Sequence, residues 1–86
     1  MTCRIDRVLI EQGVVLRISG RIAGEDLDVL RTALEENRVV ALDLRDVELI
    51  DRDAVAVLAR TAGNGVELRH CPAYIREWVT RERGRS

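Results

Sequence analysis

Lysine and phenylalanine are both absent from these 86 residues; there is one Trp, one Tyr, one His, one Pro and two Cys. The lack of lysine excludes Schiff-base chemistry and the lysine-bearing, Gly-rich loop that cradles phosphates. With so few rings, the core must be built from Val, Leu, Ile and Ala. No apolar run approaches the ~20 residues that span a bilayer, and MTCRIDRVLIEQG has no signal-peptide apolar stretch, so a cytoplasmic chain without a membrane span is expected. Cys3 and Cys71 are too far apart for a CxxC motif or a metal-ligand pair and suit reduced thiols in that compartment. Acids and arginines are interspersed to a net charge of -1, which gives no footprint for nucleic acid or an anionic membrane.

What remains is one small domain spanning 1–86, with a polar, frayed tail from about residue 80. Apolar runs at Ile5–Ile10 and Val14–Ser19 flank Glu11-Gln12-Gly13, which reads as a hairpin with a three-residue connection. Gly20 to Gly24 reads as a loop. A helix follows from about Glu25 to Glu36, burying Leu27, Leu30 and Leu34 with Ala33 beside them, and Asn37 is a plausible stop. Val39–Leu44 is the third strand, and the next helix carries Val55, Leu58, Ala59 and Ala62 before Gly63-Asn64-Gly65. Val66–Arg69 is the fourth strand. Pro72 opens a last helix with a stripe of Tyr74, Ile75, Trp78 and Val79, in which Trp78 is expected to anchor the core.

Strands alternating with helices after a hairpin predict an α/β fold: a four-stranded, mixed but mostly parallel sheet with three helices. Strand alternation assigns Val14, Leu16, Ile18, Val40, Leu42, Leu44, Val66 and Leu68 to one face. The other carries Arg17, Ser19, Asp43, Glu67 and Arg69, with Val15, Val39 and Ala41 making it partly apolar. A parallel sheet covered on both faces would read as continuous apolar runs. Hence all three helices are expected on one face, leaving the other for solvent or a subunit contact.

The richest segment is IDRDAVAVLA, Ile50 to Ala59. Asp51 suits the N-cap of the helix and Asp53 its first turn, where the unpaired N–H groups and the dipole favour negative charge. These acids either simply start a helix or mark the mouth of a site, since α/β sheets place ligands at strand C-terminal ends. Asp43, Asp46, Asp51 and Asp53 all fall near the end of the third strand. Mg²⁺ could be imagined on them, but the expectation is no metal and no cofactor; Asp43 and Asp46 can instead pair with Arg17, Arg45 or Arg69. A response-regulator receiver is excluded by the missing lysine and the missing acidic pair after a first strand. No nucleophile–base pair is readable, although Cys71 adjoins His70, so no catalytic residue is expected and the chain reads as a non-enzyme.

Three segments resemble the STAS domain, the fold shared by sulfate-transporter tails and anti-sigma factor antagonists. VVLRISGRI (Val14–Ile22) is similar to the family's second strand and its Gly, and VVALDLRDVELIDRDAVAVL (Val39–Leu58) to its central strand, loop and switch helix. GVELRHCPAYIREWV (Gly65–Val79) is similar to its fourth strand and following helix. The resemblance implies a regulatory protein-interaction module whose partner is an anti-sigma factor or a kinase-like ATPase domain. The partner-binding surface it implies comprises Gly20, Arg21, Glu25, Asp51, Arg52 and Asp53. The alternative is an accessory or self-associating subunit of a transporter or other complex.

Two departures from the family pattern bear on this. Switching members have a hydroxyl residue that accepts phosphate where this chain has Asp53, and Arg52 replaces the neighbouring hydroxyl. An Asp carries about -1 where phosphoserine carries about -1.5 to -2; it either mimics the phosphorylated form or marks a lost switch. Members also usually continue with a further strand and helix. Without them Val66–Arg69 is an exposed edge, to be charged by Glu67 and Arg69 or paired in a homodimer.

Overall fold

Strand β1 (Cys3–Ile10) and strand β2 (Gly13–Ile22) form the hairpin, in register from Cys3 opposite Gly20 to Ile10 opposite Gly13. The computed structural model describes residues 3–36 and 38–84. The turn is two residues long, because Gly13 already belongs to β2. Its φ of 150° lies in the range that side chains avoid, and a Cβ there would stand 2.5 Å from the Arg38 carbonyl oxygen. That carbonyl accepts a hydrogen bond from Val14 N–H at 2.8 Å, so the close approach is part of the sheet.

β2 continues through Gly20 to Ile22, where a loop was expected; its last residues pair with the end of strand β3 (Val39–Ile50). A 3-10 turn (Gly24–Asp26) leads into helix α1 (Leu27–Glu36). Asn37, the expected stop, lies outside the described residues. Helix α2 (Arg52–Gly63) joins β3 to the short strand β4 (Glu67–Arg69), and helix α3 (Ala73–Arg83) follows. The sheet order is β1-β2-β3-β4, antiparallel at the hairpin and parallel beyond it. This is the expected α/β architecture, with β4 at an edge.

The core lies between the sheet and the helices. Leu16, Ile18, Leu42 and Leu44 from the strands meet Leu30, Val55, Leu58 and Ile75 from the helices, all fully buried. α1 buries Leu27 and Leu30 with Ala33 and Leu34 beside them, as its spacing predicted. α3 differs. Ile75 and Val79 are buried, Trp78 is half-buried against the core, and Tyr74 is 48% exposed with its hydroxyl donating to the Glu48 carbonyl at 2.9 Å. The residue that anchors α3 is therefore Ile75, whereas the size of Trp78 suggested otherwise. α3 is helical through Arg83, so the polar tail is shorter than expected.

β3 corrects the face assignment. Three register shifts against β2 insert extra residues into it: Val14 faces Val39 while Val15 faces Ala41, Arg17 faces Asp43 while Ser19 faces Asp46, and Gly20 faces Val47 while Arg21 faces Leu49. These are bulges, and each resets the side-chain alternation. Val39, not Val40, consequently joins the core beside Val14, and the β3 residues within the core run Leu42, Leu44, Val47, Ile50, while Ala41 is buried on the opposite face. On the opposite face, neighbouring strands align Asp6, Arg17, Asp43 and Arg69 in one row and Val8, Val15, Ala41 and Glu67 in the next. Arg17 and Asp43 form an ion pair at 3.8 Å.

Among the described residues no helix is long and apolar enough to cross a membrane.

Candidate functional site

The parallel strands β2 and β3 end side by side, Ile22 opposite Ile50, and both chains turn there into helical segments. Asp51 joins the two turns. Its backbone is extended, with φ -94° and ψ 175°, as an N-cap requires. Oδ1 accepts from Ala54 N–H at 2.9 Å and caps α2. Oδ2 accepts from Gly24 N–H at 2.7 Å, a bond spanning 27 positions of sequence. The Asp51 N–H donates to the Ile22 carbonyl at 3.1 Å. The first of these bonds is local to α2; the other two tie its start to the 3-10 turn at Gly24 and to the end of β2 at Ile22.

The 3-10 turn is closed in a similar way. Ala23 N–H donates to Asp26 Oδ2 at 3.1 Å, and Asp26 N–H donates to the Ala23 carbonyl at 2.9 Å. Asp26 is buried by this role. A Cβ built on Gly24 would lie 3.7 Å from Asp53 Oδ2 and 3.8 Å from Asp51 Oδ2. Hence the Asp53 carboxylate leans across the same turn. Asp53 itself is exposed, as are Arg52, Arg21 and Glu25.

The six expected surface residues therefore divide. Glu25, Arg52 and Asp53 share a rigid, exposed rim around the Asp51 clip. Arg21 sits on β2 opposite Leu49, an exposed apolar residue next to that rim. Asp51 is a positioning residue, because backbone donors occupy both carboxylate oxygens. Gly20 is half-buried within β2, opposite Val47, with φ 87°. Its role is to let the strand bend at a bulge. The sequence did not mark Gly24 as the second anchor, because a bond over 27 positions leaves no local pattern.

The acids do not gather as their spacing suggested. Asp43 is in mid-strand and buried on the open face, where Oδ1 accepts from Arg45 N–H at 3.0 Å. β3 continues for seven residues beyond it. Among the described residues no three His, Cys, Asp or Glu side chains form a group able to hold a metal ion. His70 follows β4 with φ 52°, and its Nε2 lies 3.1 Å from an Arg45 guanidinium nitrogen. Burial pushes the Cys71 thiol above its ordinary pKa, against a smaller lowering by Arg76. Cys3 is raised by burial and then by the charge of Asp26. Both cysteines are free thiols, and at Cys71 burial outweighs the charge of Arg76 and favours the neutral thiol.

No protein-family model matches the chain, and no curated protein matches it either.

Proposed function

We propose that the chain is a non-enzymatic regulatory module of STAS type that binds a protein partner through the rim of Arg21, Glu25, Arg52 and Asp53. The observation that carries this reading is the Asp51 clip. Two hydrogen bonds, Gly24 N–H to Asp51 Oδ2 and Asp51 N–H to the Ile22 carbonyl, tie together two exposed turns whose outward side chains are charged and not used in the core, while Asp51 Oδ1 caps α2. A preformed surface of this kind loses little entropy on binding. The partner would be an anti-sigma factor or a kinase-like ATPase domain, as the resemblance of Val39–Leu58 implies. Asp51 to Arg60 contains no Ser or Thr, so the phosphoacceptor hydroxyl of that family has no counterpart there. Asp53 puts a fixed negative charge where switching members place a reversible one.

The test is amide hydrogen exchange of the chain with and without a kinase-like ATPase domain. Protection confined to residues 21–26 and 51–55 is expected. Protection of β1 or of the open sheet face instead would contradict the assignment.

A second reading is self-association, in a homodimer or as an accessory subunit of a complex. One observation favours it: across the open face Asp6, Arg17, Asp43 and Arg69 alternate in sign. Reversed by a two-fold axis along the strands, that row sets each acid against an arginine of a second copy. Sedimentation equilibrium of wild type and Arg17→Glu separates this reading from the first.

A further inference from the structure

Between α1 and α2, at the opposite end of β3 from the rim, lies a cleft of about 480 Å³. That volume falls in the range of small-molecule sites, roughly 300–1,000 Å³. Leu34, Val57 and Val66 give it an apolar lining, and Arg31, Arg38 and Arg60 surround it from three different segments.

The feature that sets these arginines apart is their convergence on one cleft. Of the other described arginines, Arg4, Arg17 and Arg69 each face a carboxylate within 4 Å, whereas Arg45, Arg52, Arg76, Arg81 and Arg83 form no ion pair with a described residue. Arg31, Arg38 and Arg60 form no ion pair with any described residue. Arg60 has an ordinary reason to be there, since it lies in the last turn of α2 and complements the helix dipole. Arg38 follows the C-terminal end of α1 and has the same reason, whereas Arg31 is in the middle of α1, where the dipole does not account for it. Glu35 also lines the cleft and opposes an anion, leaving a net charge of +2 from these four side chains. Guanidinium groups above an aliphatic floor match a ligand with an anionic head and a short apolar body.

We propose that this cleft binds a small amphipathic anion, a carboxylate or phosphate monoester carrying a short aliphatic chain. The head lies among Arg31, Arg38 and Arg60, and the chain lies on Leu34, Val57 and Val66. The site does not depend on the partner surface, being formed at the other end of the sheet.

Titration of the isotope-labelled chain with octanoate, octyl phosphate, acetate and octanol, followed by amide chemical shifts, tests the proposal. Saturable shifts centred on the cleft are expected for octanoate or octyl phosphate, and whichever binds tighter identifies the head group. Arg60→Gln should weaken that binding about tenfold or more, the worth of one charge-assisted hydrogen bond. Arg31→Gln should act in the same direction, and Glu35→Gln should tighten binding. Asp53→Ser should leave it unchanged, which separates failure here from failure of the partner surface. Equal shifts from octanol and octanoate, or an affinity unaltered in both arginine variants, would overturn the proposal.

Discussion

Asp51 uses both carboxylate oxygens on backbone donors that belong to different segments. Alanine there removes an N-cap and the tie to Gly24 together, so a loss of about 1–2 kcal/mol is expected. Asparagine keeps one acceptor oxygen but turns an NH₂ toward the second donor, so it should fall between alanine and wild type. Thermal denaturation of the two variants checks the order. The cysteines give a second expectation. Burial favours their neutral form, so the folded pKa of each lies above the unfolded value near 9.0. Their contribution to stability is complete below that value and is lost as pH rises through the folded pKa. The melting temperature should therefore decline above about pH 9, and less steeply in a Cys3→Ala, Cys71→Ala double variant. An identical alkaline slope for both proteins would contradict this.

At the scale of elements, β3 determines most of the geometry. Its three bulges carry the strand from Val39, under the cleft, to Ile50, beside the rim. Gly13 holds the first bulge, because the Arg38 carbonyl that bonds Val14 leaves no room for a Cβ. Gly13→Ala should destabilise the protein by more than about 1 kcal/mol, as expected where φ and space both exclude a side chain. Urea denaturation measures it, and a neutral result would show that the close approach relaxes freely. The same bulges explain what could be read in advance. The order of strands and helices followed from periodicity and turn residues, and α1 buried the face its spacing indicated; α2 did so through Val55, Leu58 and Ala59, with Val57 and Thr61 buried as well and Ala62 only half-buried. The interior of β3 is not legible in the sequence, since alternation carries no mark of an inserted residue and Val39 and Val40 look alike. Asp51 was legible as a cap because capping is local. Its bond to Gly24 was not, because two distant turns meet only after the sheet has formed. Trp78 packs against the core as its place in the α3 stripe indicates, but it is only half-buried, and Ile75 and Val79 are the buried residues of α3.

On the scale of the molecule, two ends of one sheet offer different chemistry. The C-terminal ends of β2 and β3 present a rigid charged rim, and the N-terminal end of β3 opens onto a cleft ringed by arginines. α2 connects them, beginning at the Asp51 clip and ending near Arg60. The rim is proposed as a partner surface in which Asp53 is a fixed charge. An interface that accepts a neutral hydroxyl at that position would have to desolvate an unpaired carboxylate in this chain. Isothermal titration of wild type and Asp53→Ser with a kinase-like ATPase domain, the class of partner proposed above, is the most direct measurement. The account predicts that Asp53→Ser binds at least about tenfold more tightly, a gain of roughly 1.4 kcal/mol or more, while the two proteins differ in folding stability by less than about 1 kcal/mol. Equal affinity for the two proteins would contradict it.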